Sequence, residues 1–216
     1  MGAFGFADDY IKVVKKNKKG LAEKFKLLGQ VTMGLIVGSV LYFYPRFADV
    51  NTRTDLPFVP RGGLDYDFLS PLFGVDLGWL IFIPLAIFII TALSNAVNIT
   101  DGLDGLTTGV SAFVALGMVA LCFVSGNAEL ANFLGILFLP GTGELTIFAA
   151  SMAAACFGFL WYNGYPAQVF MGDTGSLALG AAIGALALMV RKELLLPLLC
   201  GVFFVETLSV ILQTAY

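Results

Sequence analysis

The chain has 216 residues, of which 58% are hydrophobic and 12% are charged, with a net charge of −3. Soluble domains carry about 25% charged residues, and disordered chains combine low hydrophobicity with high charge, so this composition is typical of neither class. It predicts an all-α, polytopic membrane protein. The acidic balance argues against nucleic acid as a partner. The sequence contains no histidine, which excludes imidazole bases and histidine-bound zinc.

Six apolar segments are long enough to cross a bilayer, which takes about 20 helical residues. These predicted spans of the transmembrane helical bundle are 27–44, 77–97, 106–125, 145–162, 176–190 and 194–213. The apolar start, 1–7, is typical of the end of a further helix. Segment 130–139 is too short to span, and we expect it at the membrane surface or as a re-entrant piece. The apolar ends suggest that 1–216 is one incomplete integral-membrane domain, cut from a longer chain.

Basic residues predict the orientation of the bundle. Seven of the twelve lysines and arginines precede the first span, and such residues favour the cytoplasmic side. If the spans alternate, loops 98–105 and 163–175 are cytoplasmic, while 45–76 and 126–144 lie outside. Five aspartates then meet the cytoplasmic boundary: Asp8, Asp9, Asp101, Asp104 and Asp173. Carboxylates gathered there repel one another unless a cation or a substrate offsets their charge.

The first motif that carries chemistry is GFADDY, in which Asp8 and Asp9 are adjacent. Two neighbouring carboxylates can share a metal ion, or one of them can act as a base. The alternative is that the pair ends a helix at the water boundary.

The second motif is NAVNITDGLDG, residues 95–105. Asp101 and Asp104 are three residues apart, so in a helical turn they share one face. Asn95 and Asn98 add two amide side chains. The alternative is a purely structural role, in which the motif is a helix cap followed by a glycine turn. A cap, however, needs only one aspartate.

The third motif is NGYPAQVFMGDTGS, residues 163–176, with Asp173 at the start of a span. Here the alternative is a helix cap by Asp173 or Ser176. Mg²⁺ prefers carboxylate oxygens and substrate phosphates as ligands. Carboxylates and amides at one membrane boundary therefore predict Mg²⁺-assisted phosphoryl transfer from a nucleotide-activated donor to a lipid phosphate.

The sequence resembles the polyprenyl-phosphate phosphosugar transferases, and among them the phospho-N-acetylmuramoyl-pentapeptide transferases. The stretches that carry the resemblance are FADDYIKVVKKNKKGL, SNAVNITDGLDGLTTG, FLWYNGYPAQVFMGDTGSLALG and VETLSVILQTAY. It implies Mg²⁺-dependent transfer of phospho-MurNAc-pentapeptide from UDP-MurNAc-pentapeptide to undecaprenyl phosphate, giving lipid I and UMP for peptidoglycan. It also implies a multi-pass protein of the bacterial inner membrane with its active face in the cytoplasm. The implied partners are these two substrates and the lipid bilayer, with a homodimer left open.

The resemblance and the motifs together assign roles to individual residues. Asp8 matches a proposed base for the lipid phosphate, Asp9 supports it, and Phe170 matches an aromatic ring that stacks on uracil. The catalytic set is Asp8, Asp9, Asp101 and Asp104, and the metal ligands are Asp173 and Asp101. The substrate-binding set is Asn95, Asn98, Gly102, Leu103, Asn163, Phe170, Gln213 and either Lys24 or Lys26. Tyr165 departs from the histidine that many members carry at that position.

Three alternatives to this function stay open. One is a relative that transfers N-acetylglucosamine phosphate from UDP-GlcNAc, and a second is a non-catalytic remnant. A cation-binding transporter is the third, but it would be expected to place carboxylates near the middle of the membrane. Glu206 is the deepest of the acidic residues in the predicted spans.

Overall fold

The fold was obtained as a computed structural model, which describes residues 1–17, 19–44, 52–59, 62–67 and 76–215. Helices dominate this part of the chain, which confirms the predicted all-α class. They are α1 (Gly2–Val13), α2 (Glu23–Phe43), α3 (Trp79–Thr100), α4 (Leu106–Gly126), α5 (Ala128–Leu134), α6 (Gly143–Asn163), α7 (Gly172–Met189), α8 (Leu196–Leu199) and α9 (Gly201–Ala215). A 3-10 helix, Glu193–Leu195, precedes α8.

Helix α3 is central, because α2, α7 and α9 all pack against it, while α4 pairs with α6 and α1 lies along α7. Small residues allow this close packing. A Cβ atom on Gly34 of α2 would lie 2.5 Å from the Cα atom of Ile87, and one on Gly180 of α7 would lie 2.4 Å from the Leu93 carbonyl oxygen. Both glycines therefore serve packing inside the bundle.

Within the described residues, five helices are long and apolar enough to cross a membrane: α2, α3, α4, α6 and α7. The chain is therefore a multi-pass membrane protein. The predicted sixth span is broken, since Glu193–Leu199 and Gly201–Ala215 meet at a bend of 72°. Pro197 lies in the first turn of α8, where a proline is tolerated, and the backbone leaves the helical conformation at Cys200.

Two predicted segments differ in detail from the structure. The apolar start belongs to a helix that continues to Val13, so Asp8 and Asp9 lie within α1 and not beyond its end. Segment 130–139 begins inside α5, whose first turn is capped by the side chain of Asn127. Beyond α5 the backbone is irregular until α6 begins.

The loops gather at two ends of the bundle, as the alternation of spans predicts. At what we call the acidic end, the turn 101–105 meets the loop 164–171, where the Ala167 amide donates to Asp104. At the hairpin end, strands β1 (Arg53–Asp55) and β2 (Gly63–Asp65) pair antiparallel inside the region that the sequence analysis treats as a loop. There the Asp55 amide donates to the Arg191 carbonyl oxygen over 3.2 Å.

Candidate active site

Three carboxylates meet at the acidic end, where α1 crosses the start of α7. Asp8, Asp9 and Asp173 each offer an oxygen, and these oxygens lie within 4.8 Å of one another. Asp8 is fully buried, and the other two are partly buried. The helices come this close because Gly5 of α1 lies directly against the Asp173 backbone.

Two lysines bridge two of these carboxylates, Asp8 and Asp173. Lys26 Nζ lies 2.5 Å from Asp173 Oδ2 and 3.1 Å from Asp8 Oδ2. Lys12 Nζ pairs with Asp8 and lies 3.3 Å from Asp173 Oδ2. Lys24 and Lys26 were predicted as alternatives; Lys26 reaches the cluster, whereas Lys24 is exposed. Lys12 was not among the predicted site residues, although its spacing of four residues from Asp8 places both on one helix face.

Asp9 caps α7 from outside that helix. Its Oδ2 accepts from the Thr174 amide at 2.9 Å and from the Thr174 hydroxyl at 2.6 Å, while Oδ1 accepts from the Asp173 amide at 3.3 Å. Gly172 has a φ of +64°, and a Cβ atom there would lie 2.8 Å from Asp9 Oδ2. A glycine is therefore required for this approach, and the carboxylate also interacts favourably with the helix dipole.

The two asparagines of α3 are held by different partners. Asn98 donates from Nδ2 to Asp173 Oδ1 at 3.0 Å and to the Ser176 hydroxyl at 2.8 Å, which orients the Asp173 carboxylate. Asn95, one turn earlier, exchanges two hydrogen bonds with the amide of Gln30 in α2. Gln30 was not predicted, because a glutamine within an apolar span carries no motif.

Asp101 and Asp104 have separate surroundings, although they were predicted to share a face. Burial raises the pKa of Asp101 to about 6, and the negative charges of Asp173 and Asp9 act in the same direction. Asp104 instead accepts from the Ala167 amide at 3.0 Å, in the neighbouring loop. Asp101 thus belongs electrostatically to the carboxylate cluster, whereas Asp104 anchors a loop.

The remaining predicted substrate-binding residues differ in exposure. Phe170 is 73% exposed and Leu103 is 67% exposed, beside the exposed Gly102. Asn163 is buried, with its side-chain amide bonded to Thr108 and to the Val169 carbonyl. Gln213 lies on the exposed end of α9 and donates to Ser209 in the same helix.

A family model, glycosyl transferase family 4, matches residues 1–191. The chain belongs to this family. A phospho-N-acetylmuramoyl-pentapeptide-transferase of Salinibacter ruber is 66% identical over 217 residues, covering all of the chain and 56% of the relative. Proteins of the same name from Chloroherpeton thalassium and Parabacteroides distasonis are 50% and 48% identical over the whole chain, which covers 55% and 58% of their lengths. The chain therefore spans little more than half the length of these curated relatives.

The donor set of this glycosyl transferase family 4 chain fits a hard divalent cation. Asp8, Asp9 and Asp173 offer carboxylate oxygens, which Mg²⁺ prefers, at a spacing that one ion can bridge. In the structure, the ammonium groups of Lys12 and Lys26 occupy the space between Asp8 and Asp173. A divalent ion would compete with these lysines for the same oxygens.

A turn between α1 and α2 covers Asp8. The Leu21 amide donates to Asp8 Oδ1 at 2.6 Å. Gly20 lies against the same carboxylate, and a Cβ atom there would come within 2.5 Å of Asp8 Oδ1. This turn closes the carboxylate off from solvent.

Proposed function

We propose that this chain carries the acidic active centre of a phospho-N-acetylmuramoyl-pentapeptide transferase. The donor would be UDP-MurNAc-pentapeptide, the acceptor undecaprenyl phosphate, and the products lipid I and UMP. The observation that carries the proposal is the meeting of Asp8, Asp9 and Asp173 at one end of a membrane bundle. The printed names of the relatives support the choice of donor.

In the net reaction, an oxygen of the lipid phosphate bonds to the phosphorus that carries the sugar. The bond from that phosphorus to the oxygen of UMP breaks, and UMP leaves with that oxygen. In this proposal Asp8 takes the proton when the lipid phosphate is monoprotonated. Because the turn at Gly20 and Leu21 covers Asp8, that turn must open before the lipid phosphate can reach it.

Asp173 is proposed as the principal ligand of Mg²⁺, with Asp8, Asp9 and Asp101 nearby. When bound, the ion would neutralise the charge of the diphosphate. Asn98 orients Asp173, while the three hydrogen bonds that Asp9 accepts hold the start of α7 in place. Lys12 and Lys26 would then be released from Asp173 to contact phosphate oxygens.

We infer that the acidic end faces the cytoplasm of a bacterial inner membrane. The lysine-rich segment before α2 favours that side. A soluble nucleotide donor would be supplied there, and the lipid phosphate would approach from within the bilayer.

Replacing Asp173 by asparagine in the membrane-embedded gene product tests this function. Asp173→Asn keeps the volume but removes the charge that would bind Mg²⁺, so we expect UMP release from UDP-MurNAc-pentapeptide to fall on the order of 100-fold or more. Glu129→Gln, an exposed change in α5, is the control and should keep full activity. Unchanged turnover in Asp173→Asn would refute the metal assignment. Release of UMP from UDP-GlcNAc, and not from UDP-MurNAc-pentapeptide, would identify UDP-GlcNAc as the donor.

A further inference from the structure

Four hydrogen bonds hold residues 167–169 of the loop between α6 and α7. The Ala167 amide donates to Asp104 Oδ2 at 3.0 Å, and the amides of Gln168 and Val169 donate to the Tyr162 carbonyl oxygen at 2.8 and 3.3 Å. Asn163 Nδ2 donates to the Val169 carbonyl oxygen at 3.0 Å. These contacts hold the backbone just before the exposed Phe170.

The orientation of the Asn163 amide follows from its partners. The Val169 carbonyl can only accept, so the nitrogen of the amide must face it and the oxygen must face away. That oxygen lies 2.6 Å from the hydroxyl of Thr108, which therefore donates. Thr108 is fully buried in the first turn of α4. The hydrogen bonds run from α4 through the last residue of α6 to the loop.

We propose that Thr108 is a positioning residue for the nucleotide donor. By donating to Asn163, the Thr108 hydroxyl fixes the side-chain amide that binds the Val169 carbonyl. The position of Val169 in turn sets the position of the Phe170 ring, the next residue in the chain. The ligand class is the base of a uridine nucleotide. This inference rests on the proposed function and on the role that the family resemblance implies for Phe170, stacking on uracil.

The adjacent Thr107 provides a matched comparison. It is also fully buried in the first turn of α4. Its hydroxyl has no hydrogen-bond partner among the described residues. Thr107→Val and Thr108→Val thus make the same chemical change one residue apart, but only the second removes a donor to the loop support.

Amide hydrogen exchange of the gene product tests the support without any need for activity. In Thr108→Val, the Asn163 oxygen loses its donor, and we expect the amides of Gln168 and Val169 to exchange about 10-fold faster. Thr107→Val should leave these rates unchanged, and Thr108→Ser should preserve them. If Thr108→Val fails to fold, Thr108→Ala removes the same hydroxyl with less bulk. Unchanged exchange in the folded variant would overturn the proposal.

Steady-state kinetics then test the link to the nucleotide. We expect Thr108→Val to raise KM for UDP-MurNAc-pentapeptide about 10-fold, with kcat and KM for the lipid within about two-fold of wild type. Thr108→Ser should restore KM, and Thr107→Val should behave as wild type. A lowered kcat with unchanged KM would overturn the positioning role. If wild type itself releases no UMP, the proposed function fails, and hydrogen exchange alone decides whether Thr108 holds the loop.

Discussion

Two polar clusters occupy the two ends of α7, and they differ in charge balance. At the acidic end, Asp8, Asp9, Asp101 and Asp173 face two ammonium groups. The hairpin end, about 27 Å away along the helix, holds a largely buried cluster of two acids and two bases, Asp55, Glu193, Arg191 and Lys192. The carboxylate cluster keeps an excess of negative charge, whereas the four-residue cluster at the hairpin end is balanced.

In the four-residue cluster at the hairpin end, each charged side chain has a partner among the described residues. Lys192 pairs with Asp55, and the Tyr66 hydroxyl donates to Glu193 Oε1 at 3.0 Å. The Arg191 guanidinium lies 4.5 Å from the centre of the Phe82 ring. Burial, together with the charge of Glu193, raises the pKa of Tyr66, so its hydroxyl stays a neutral donor.

The difference separates two uses of charge in one bundle. A balanced, closed cluster fixes a hairpin to the helices and leaves no charge for a ligand. The unbalanced cluster has carboxylates whose repulsion a cation or a substrate can relieve. A helix start favours one carboxylate through its dipole, but several carboxylates gathered there repel one another. Such an excess is therefore typical of a binding site.

Removing one charge from the balanced cluster at the hairpin end should have the largest effect on the free energy of unfolding. Lys192→Met leaves the Asp55 carboxylate, whose side chain is only 15% exposed, without its ion-pair partner. Because loss of one member of a buried pair leaves an uncompensated charge, we expect the free energy of unfolding to fall by about 3–5 kcal/mol. Unfolding in mixed detergent micelles measures this change.

The hairpin itself supplies a comparison for this variant. Arg53 and Asp65 form an exposed pair at 3.8 Å, so Arg53→Ala should cost less than about 1 kcal/mol. The double variant Lys192→Met with Asp55→Asn should recover most of the lost stability, because neither partner of the removed ion pair keeps a charge. Equal losses for Lys192→Met and Arg53→Ala would contradict a buried, closed cluster.

Sequence predicted the acidic end far better than the hairpin end. Asp8, Asp9 and Asp173 lie in glycine-rich motifs at predicted span ends, and alternation of the spans brings those ends together. Asp55 and Lys192 are 137 positions apart in the chain and carry no motif. Their pairing depends on how the hairpin folds over the bundle, which local pattern does not encode.

Within the acidic end, sequence could not settle which side chains face inward. Lys24 and Lys26 are both polar residues at the start of α2, and only the rotation of that helix against α1 brings Lys26 to Asp8. The bend at Cys200 could not be placed from the sequence for a related reason. Apolar content predicts a span, but it does not set the direction of the backbone.

The second largest effect should come from adding Mg²⁺ at the acidic end. Binding to the folded state alone stabilises a protein by about 2.7 kcal/mol when the ion is at 100 times its Kd. We therefore expect Mg²⁺ to raise the Tm of wild type. Lys26→Met, which removes a competing ammonium group, should show a larger rise, measured by thermal unfolding in detergent.

The two ends again provide the control for the Mg²⁺ experiment. Arg53→Ala, at the hairpin end, should respond to Mg²⁺ as wild type does, whereas Asp173→Asn should show little or no rise. A Tm rise that persists in Asp173→Asn would show that Mg²⁺ binds elsewhere. The excess of carboxylates at the acidic end would then not mark a metal site.

The smallest effect concerns the pH dependence of Asp101. Its pKa in the folded chain is raised to about 6, against about 3.9 for an aspartate in an unfolded chain. The folded state thus holds the proton more tightly, so stability falls as pH rises from about 4 to about 6. In metal-free buffer, Asp101→Asn should exceed wild type by about 1 kcal/mol at pH 7.5, after allowance for solvent screening. The advantage should vanish near pH 4. If Asp101→Asn is more stable than wild type by the same amount at both pH values, Asp101 destabilises the fold through packing. Repulsion by the other carboxylates of the acidic end would then not be the cause.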